Sequence, residues 1–235
     1  MISKKSYSLT AVPMGHSNAY LLTAGGSAVL VDTGCPGKIN KLESALRENG
    51  LDFPDLGLVI LTHTHYDHAG CLAEIKERSG AKVLVHEAEA GCLEKGYTPF
   101  PKGTMWFSRI ISGLANSLFA FRAKYVPVKP DIVINKEYDL GYYLPGTKAR
   151  VIPTPGHTEG SVSVVLGNEE VVVGDTLFND FPKTVFPPFA NDEKQLFRSW
   201  EKLAETSCAT FYPGHGGALS IEKLADSYRK LSKRV

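Results

Sequence analysis

Three histidines and one aspartate, His63, His65, Asp67 and His68, fall within six positions of the stretch LTHTHYDHAG at 61–70. The whole chain has seven histidines, so a cluster this dense is poorly explained as packing. Imidazole nitrogens with a carboxylate oxygen suit zinc or another divalent transition metal. Three further segments extend the pattern. His157 stands in PTPGHTEGS, Asp175 ends VVVGD, and His215 stands in FYPGHGG. Each sits where an apolar run gives way to a loop, beside glycines that let backbone segments approach closely. A lone histidine is more often a satisfied core residue than a ligand. Five of seven in such places read as a metal site.

Those residues need rigid supports, and the chain offers them. Short aliphatic runs recur at 19–23, 28–32, 56–61, 81–86, 149–153, 161–166 and 170–175. Each has strand length and most are bounded by Gly, Pro or Asp. The run at 56–61 should end near Thr62. Residues two apart in extended chain point the same way, so His63 and His65 can project together, with Asp67 and His68 at the start of the next helix. Helical spacing appears at Ile39, Leu42 and Leu46, ending at Gly50. It appears again at Leu72 and Ile75, ending at Gly80, and at Leu196, Phe197, Trp200 and Leu203. A last helix should start at Ser220 as N-cap. Several strands are apolar on both faces, which places them between layers. Two sheets face to face with helices outside satisfy this. The stretch 96–130 differs, being rich in aromatics and prolines. Phe107, Ile110, Ile111, Leu114, Leu118 and Phe121 predict an amphipathic helix over roughly 104–123.

His63-Thr64-His65-Tyr66-Asp67-His68, followed in order by PGHT, GDTLF and PGHG, resembles the metallo-β-lactamase-fold superfamily of metallohydrolases. The resemblance runs over nearly the whole chain. It implies an α/β protein built as a four-layered αββα sandwich, one domain over 1–235, with a helical insertion at about 96–130. It also implies two divalent metal ions. His63, His65 and His157 would hold the first, Asp67, His68 and His215 the second, and Asp175 both. Zinc is the first expectation, and manganese and iron suit the same ligands. Two such ions can carry a bridging hydroxide as nucleophile at neutral pH, with Asp67 doubling as a proton carrier within the limits of its ligand role. Asp32 would order loops beneath the metals by accepting hydrogen bonds.

The fold hosts many reactions, so departures from subgroup patterns matter. Zinc β-lactamases lack a bridging aspartate where Asp175 stands. Flavodiiron reductases carry Glu where His65 stands. Acyl-homoserine lactonases carry Tyr where Phe178 stands. GDTLF resembles glyoxalase II, but the glutathione-binding region of that enzyme follows its last histidine, and 20 residues follow His215 here. The expectation is a glyoxalase-II-like hydrolase of an ester, thioester, lactone or similar bond. A mononuclear-iron persulfide dioxygenase is the rival, and a non-catalytic metal-binding module comes third.

Composition narrows the partners. Net charge is +1, and no basic arm or patch points to nucleic acid. No apolar run reaches the length of a transmembrane helix, and no apolar segment follows the first lysines, so neither a membrane span nor a secretory signal is expected. The four cysteines, Cys35, Cys71, Cys92 and Cys208, form no CxxC pair, as for free thiols in a cytoplasmic protein. His86 reads as a structural strand end, His16 as pocket wall or surface, Cys71 as packing and Tyr66 as a residue in the metal loop. The substrate is expected to be a small molecule, apolar or acyl-bearing. The helix in 96–130 either buries its apolar face on the sandwich or in a homodimer, or forms a lid with Trp106 nearby and Arg109, Arg122 or Lys124 placed for an anionic group.

Overall fold

The computed structural model describes residues 6–118, 123–182 and 184–232, with side chains at 113–118 outside the described set. Of the sequence expectations, Leu114, Leu118, Phe121 and Arg122 therefore lie outside the described side chains.

Two six-stranded mixed sheets form the centre. The first runs β1 (Ser8–Pro13), β2 (Asn18–Ala24), β3 (Ser27–Val31), β4 (Leu56–Ile60), β5 (Lys82–His86) and β6 (Ile132–Ile134) in spatial order. Its first three strands are antiparallel hairpins, and β3 to β6 pair in parallel. The second sheet has the order β12-β11-β10-β9-β8-β7. Its strands are β7 (Tyr138–Asp139), β8 (Ala149–Pro153), β9 (Val162–Leu166), β10 (Glu170–Gly174), β11 (Thr210–Pro213) and β12 (Leu219–Ser220). Only β10 and β11 pair in parallel there.

The helices are α1 (Ile39–Glu48), α2 (Tyr66–Ala69), α3 (Leu72–Ser79), α4 (Glu87–Lys95), α5 (Trp106–Leu118), α6 (Glu193–Glu205) and α7 (Ile221–Leu231). Alternation along the strands divides the apolar residues into three layers of contact. Tyr20, Leu22, Val31 and Ile60 face Val151, Val164 and Val172 between the sheets. The opposite faces, Leu21, Leu30, Val59 and Val83, pack on Leu42, Leu46, Leu72, Ile75 and Leu93 of the helices. Beyond the second sheet, Val165, Val171, Val173 and Phe211 pack on Leu196, Trp200, Leu203 and Leu224. A strand buried on both faces cannot alternate polar with apolar, which is why β9 and β10 are buried at every position. The result is the expected αββα sandwich.

Local expectations fare unevenly. Gly80 caps α3 in the left-handed conformation, and Gly50, also at positive φ, directly follows the α1 cap Asn49. Ser220 does stand at the N-cap of α7, but its side chain caps no backbone N–H. The α5 helix is described from Trp106, two residues later than the spacing suggests. Its first turn leaves Trp106 78% exposed, with Ile110 and Ile111 exposed as well. The approach to α5 is fixed: Thr104 N–H donates to the Pro188 carbonyl, Ala190 N–H to Lys102, and the Ser112 hydroxyl to Pro101.

Candidate metal centre

The chemistry-bearing residues all leave strand ends on one edge of the sandwich. β4 ends at Ile60, and the next residues carry Thr62, His63 and His65 out of the first sheet. His65 then opens the single turn of α2, which holds Asp67 and His68. β10 of the facing sheet ends at Gly174, next to Asp175, and β11 ends at Pro213, two residues before His215. His157 stands in the turn between β8 and β9.

Two glycines let these edges meet. Gly174 has φ +50, and a Cβ there would lie 2.4 Å from the Thr62 hydroxyl. A Cβ on Gly214 would lie 2.4 Å from Asp175 Oδ1 and 2.6 Å from His68 Cε1. Any side chain at either position would drive the two sheets apart at the site.

The seven residues converge as three overlapping groups of ligand atoms, each within 4.8 Å: His63, His65 and His157; His63, His68 and Asp175; and Asp67, His68 and His215. Nδ1 of His65 and Nε2 of His157 are 3.0 Å apart. The Asp175 carboxylate sits between the groups. Its Oδ1 lies 3.3 Å from His68 Nε2, and its Oδ2 lies 3.4 Å from His215, 3.5 Å from His157 and 3.9 Å from His63. Asp67 reaches His215 at 3.4 Å.

These atoms fit a metal on their own evidence. Nε2 of His63, His65 and His68 and Oδ1 of Asp175 are buried without a hydrogen-bond partner. Orphaned buried polar atoms are costly and rare, and here most of them crowd around a common centre, as ligand lone pairs do. Burial, with the neighbouring imidazoles, pushes His63 well below its ordinary value. Burial likewise lowers His65 and His157 to about 4. These three rings are neutral at pH 7, the form that binds metal. The other half of the site is held by its acids. Burial alone would lower His68 and His215, but Asp175 with Asp32 raises His68 well above normal, and Asp175 with Asp67 raises His215 to about 10. In the reverse direction, burial opposes ionisation of Asp67 and Asp175. The partners win: His215 and His68 hold Asp67 at about 2 and Asp175 well below the usual carboxylate range. Three carboxylates thus stabilise positive charge at this spot.

Outer hydrogen bonds orient the rings, as they do around metal sites generally. Asp32, fully buried at φ +62, accepts from the Thr62 backbone N–H at 2.8 Å, from the Thr62 hydroxyl at 2.8 Å and from His68 Nδ1 at 2.9 Å. His157 Nδ1 meets the Phe189 carbonyl at 2.8 Å, and the His68 carbonyl accepts from Thr33 N–H and hydroxyl at 2.7 Å each. His86 lies apart from the cluster, capping α4 by accepting the Ala88 N–H, and Cys71 is buried with its thiol on the Cys35 carbonyl. Neither belongs to the ligand groups, as read from the sequence. His16 does line the cavity beside the cluster, together with Tyr66.

One supporting residue escapes sequence reading. Glu89, on α4 and 4% exposed, accepts from the Thr64 backbone N–H at 2.9 Å and from the Thr64 hydroxyl. Thr98 donates to the Thr64 carbonyl at 2.7 Å and meets Tyr125. Thr64 lies between His63 and His65, so this network sets the backbone from which both rings project. Nothing distinguishes Glu89 in the sequence from a solvent-facing helical glutamate. Glu89→Ala should cost about 2 kcal/mol by leaving two donors unpaired and weaken metal binding by roughly tenfold or more, whereas Glu89→Gln should restore most of both. Thermal melting and metal titration check this; an alanine variant unchanged in both would show that Glu89 does not hold the loop.

Comparison with known proteins agrees with this geometry. The sequence profile of the metallo-beta-lactamase superfamily matches residues 12–215. A probable metallo-hydrolase of Methanocaldococcus jannaschii is 31% identical over 223 residues, covering 92% of this chain and 94% of that protein. A hydroxyacylglutathione hydrolase of Acidiphilium cryptum is 29% identical, covering 76% of this chain and 56% of its own length. Among solved structures, a metallo-beta-lactamase family protein of Thermus thermophilus superposes with a TM-score of 0.71 at 24% identity, covering 97% of this chain and 79% of its own. With the profile spanning most of its length and a relative 31% identical over nearly all of it, the chain belongs to the metallo-beta-lactamase superfamily of metal-dependent hydrolases.

Proposed function

We propose that the protein is a dinuclear metallohydrolase that cleaves an ester, thioester or related acyl bond of a small molecule. His63, His65 and His157 would hold one ion, Asp67, His68 and His215 a second, and Asp175 would serve both. The observation that carries this reading is the convergence of seven His and Asp ligand groups, several with buried, unpartnered atoms, beside a cavity that His65, Asp67, His157, Asp175 and His215 line. When bound, divalent ions supply an activated water and a Lewis acid. Water adds its oxygen to the acyl carbon, the bond to the departing oxygen or sulfur breaks, and the departing atom takes a proton.

The protein's own groups divide the remaining work. His63 and His157 are sealed, while Asp67 and His215 keep 13% and 12% of their side chains exposed and face the cavity. Substrate therefore meets the Asp67–His215 side first. Phe178 stacks on His215 with ring centroids 4.4 Å apart and keeps water from that face of the imidazole. Burial raises the Tyr66 phenol to about 12, so it stays protonated at neutral pH and can donate a hydrogen bond into the cavity. Asp67, ionised, can pass a proton only within the freedom that ligation leaves it.

Zinc is the proposed ion, on the nitrogen-rich ligand set, and a cytoplasmic setting is proposed from the unpaired thiols. Among the described residues no helix is long and apolar enough to cross a membrane. Elemental analysis of protein purified without added metal, followed by an ester and thioester panel, tests the reading. Two metals per chain are expected, with chelators abolishing turnover and thiol alkylation sparing it, because no cysteine belongs to a ligand group. A single iron per chain that survives His215→Ala, with oxygen consumed on a persulfide, would replace this reading with the dioxygenase.

A further inference from the structure

The cavity over the cluster has two unlike walls. One is the polar floor of His65, Asp67, His157, Asp175 and His215. The other is apolar: Tyr66, Phe100, Pro101, Ala123, Phe178 and Phe189. Phe178 is 6% exposed and stacked on His215, and Tyr66 packs against Phe100 with centroids 6.1 Å apart. The wall is anchored as well as apolar. Phe189 belongs to the segment that pairs with Gly103 and gives its carbonyl to His157, so it is tied to both the insertion and the cluster. Thr98, Phe100, Pro101 and Ala123 come from the two ends of the 96–130 insertion, and Trp106, Phe107 and Arg109 do not line this cavity. Arg109 lines a separate hollow beside Phe186 and Phe197. The sequence left open whether the helix forms a lid or buries its apolar face; the insertion residues that line this cavity come from its flanks.

From these walls we infer that the enzyme selects an uncharged, apolar acyl group of about one aromatic ring or six carbons, seated against Phe100, Phe178 and Phe189. The inference rests on the hydrolytic reading above and adds to it the substrate class. Size supports it. The cavity, polar floor included, measures about 190 Å³, which caps the acyl group near the size of benzene, a molecule that an apolar cavity of about 150 Å³ accommodates. Chemistry supports it too. The faces of Phe100, Phe178 and Phe189, where the acyl group sits, reward apolar burial and give a carboxylate no hydrogen bond. His16, exposed, stands at the rim of the same cavity, and the inference directs the leaving group to that side.

The experiment uses metal-loaded protein and 4-methylumbelliferyl esters, so that the leaving group stays constant while the acyl group varies. kcat/KM should rise at least about tenfold from acetate to hexanoate and phenylacetate, since each buried methylene adds several-fold. It should fall again at decanoate, and the hemisuccinate should lie at least about tenfold below the butanoate. Phe100→Ala should lower the hexanoate and phenylacetate values about fivefold more than the acetate value, in protein whose melting temperature is retained. Metal-dependent turnover with a flat acyl profile, or with the hemisuccinate preferred, would overturn the inference and leave the hydrolase reading standing. If neither these esters nor the corresponding thioesters are turned over, the acyl-hydrolase reading fails instead. Calorimetric binding then decides the pocket separately: phenylacetamide bound in preference to succinamate supports an apolar acyl seat, and equal or reversed affinity overturns it.

Discussion

Asp175→Ala should lose metal from both halves of the site and lower kcat/KM by about three orders of magnitude, ~4 kcal/mol of transition-state stabilisation. The reason is placement. Among the described residues Asp175 is the carboxylate that reaches both halves of the site, Oδ1 toward His68 and Oδ2 toward His63, His157 and His215. Removing it takes a shared ligand and also the negative charge that the surrounding imidazoles need. His68→Ala is the control. It belongs to the groups with Asp175 and Asp67 but not to the trio His63, His65 and His157, so it should empty mainly one half. Elemental analysis of both variants after identical loading separates the cases. Near-normal metal content in Asp175→Ala, or equal losses in the two variants, would remove the shared role from Asp175.

The second large effect belongs to Asp32, which acts on the candidate ligands through hydrogen bonds, directly on His68 and by way of the Thr62 hydroxyl on His63. Asp32→Ala leaves the Thr62 N–H, the Thr62 hydroxyl and His68 Nδ1 without their acceptor. The expected destabilisation is on the order of 3–5 kcal/mol, because buried donors without partners lose most of their hydration energy uncompensated. Asp32→Asn is more informative. Asparagine tolerates the left-handed backbone found there and keeps one acceptor. Its amide NH2 must face a donor whichever way it is turned. The Thr62 N–H cannot change its role, whereas His68 can change tautomer, so the NH2 should turn to His68. His68 would then carry its proton on Nε2, the atom aimed at Asp175 and the cluster. Metal affinity should fall about 10–100-fold with only ~1–2 kcal/mol of stability lost. Metal titration and thermal melting of the two variants read this directly. Equal metal affinity in Asp32→Asn and the parent would mean that Asp32 holds the fold without setting the tautomer.

The sequence by itself determined a great deal of this protein. The seven candidate ligands were legible because metal ligation demands particular residue types, and types are what a sequence records. The layered sandwich was legible from strands apolar on both faces, since β9 and β10 have no polar face to show. What the sequence left open depends on distance between segments far apart in the chain. Glu89 supports Thr64 from 25 residues away, and Phe189 meets His157 from 32 away; both look ordinary in their local runs. The helix of the insertion shows the opposite case. Its apolar spacing was compatible with a lid and with a buried interface alike; Trp106 and Ile110 are exposed, and Phe100, Pro101 and Ala123 at the flanks line the cavity. Periodicity states that a helix has an apolar face but not what that face meets. Only the tertiary packing of the insertion's ends against 187–191 and the metal loop decided which aromatic side chains line the cavity.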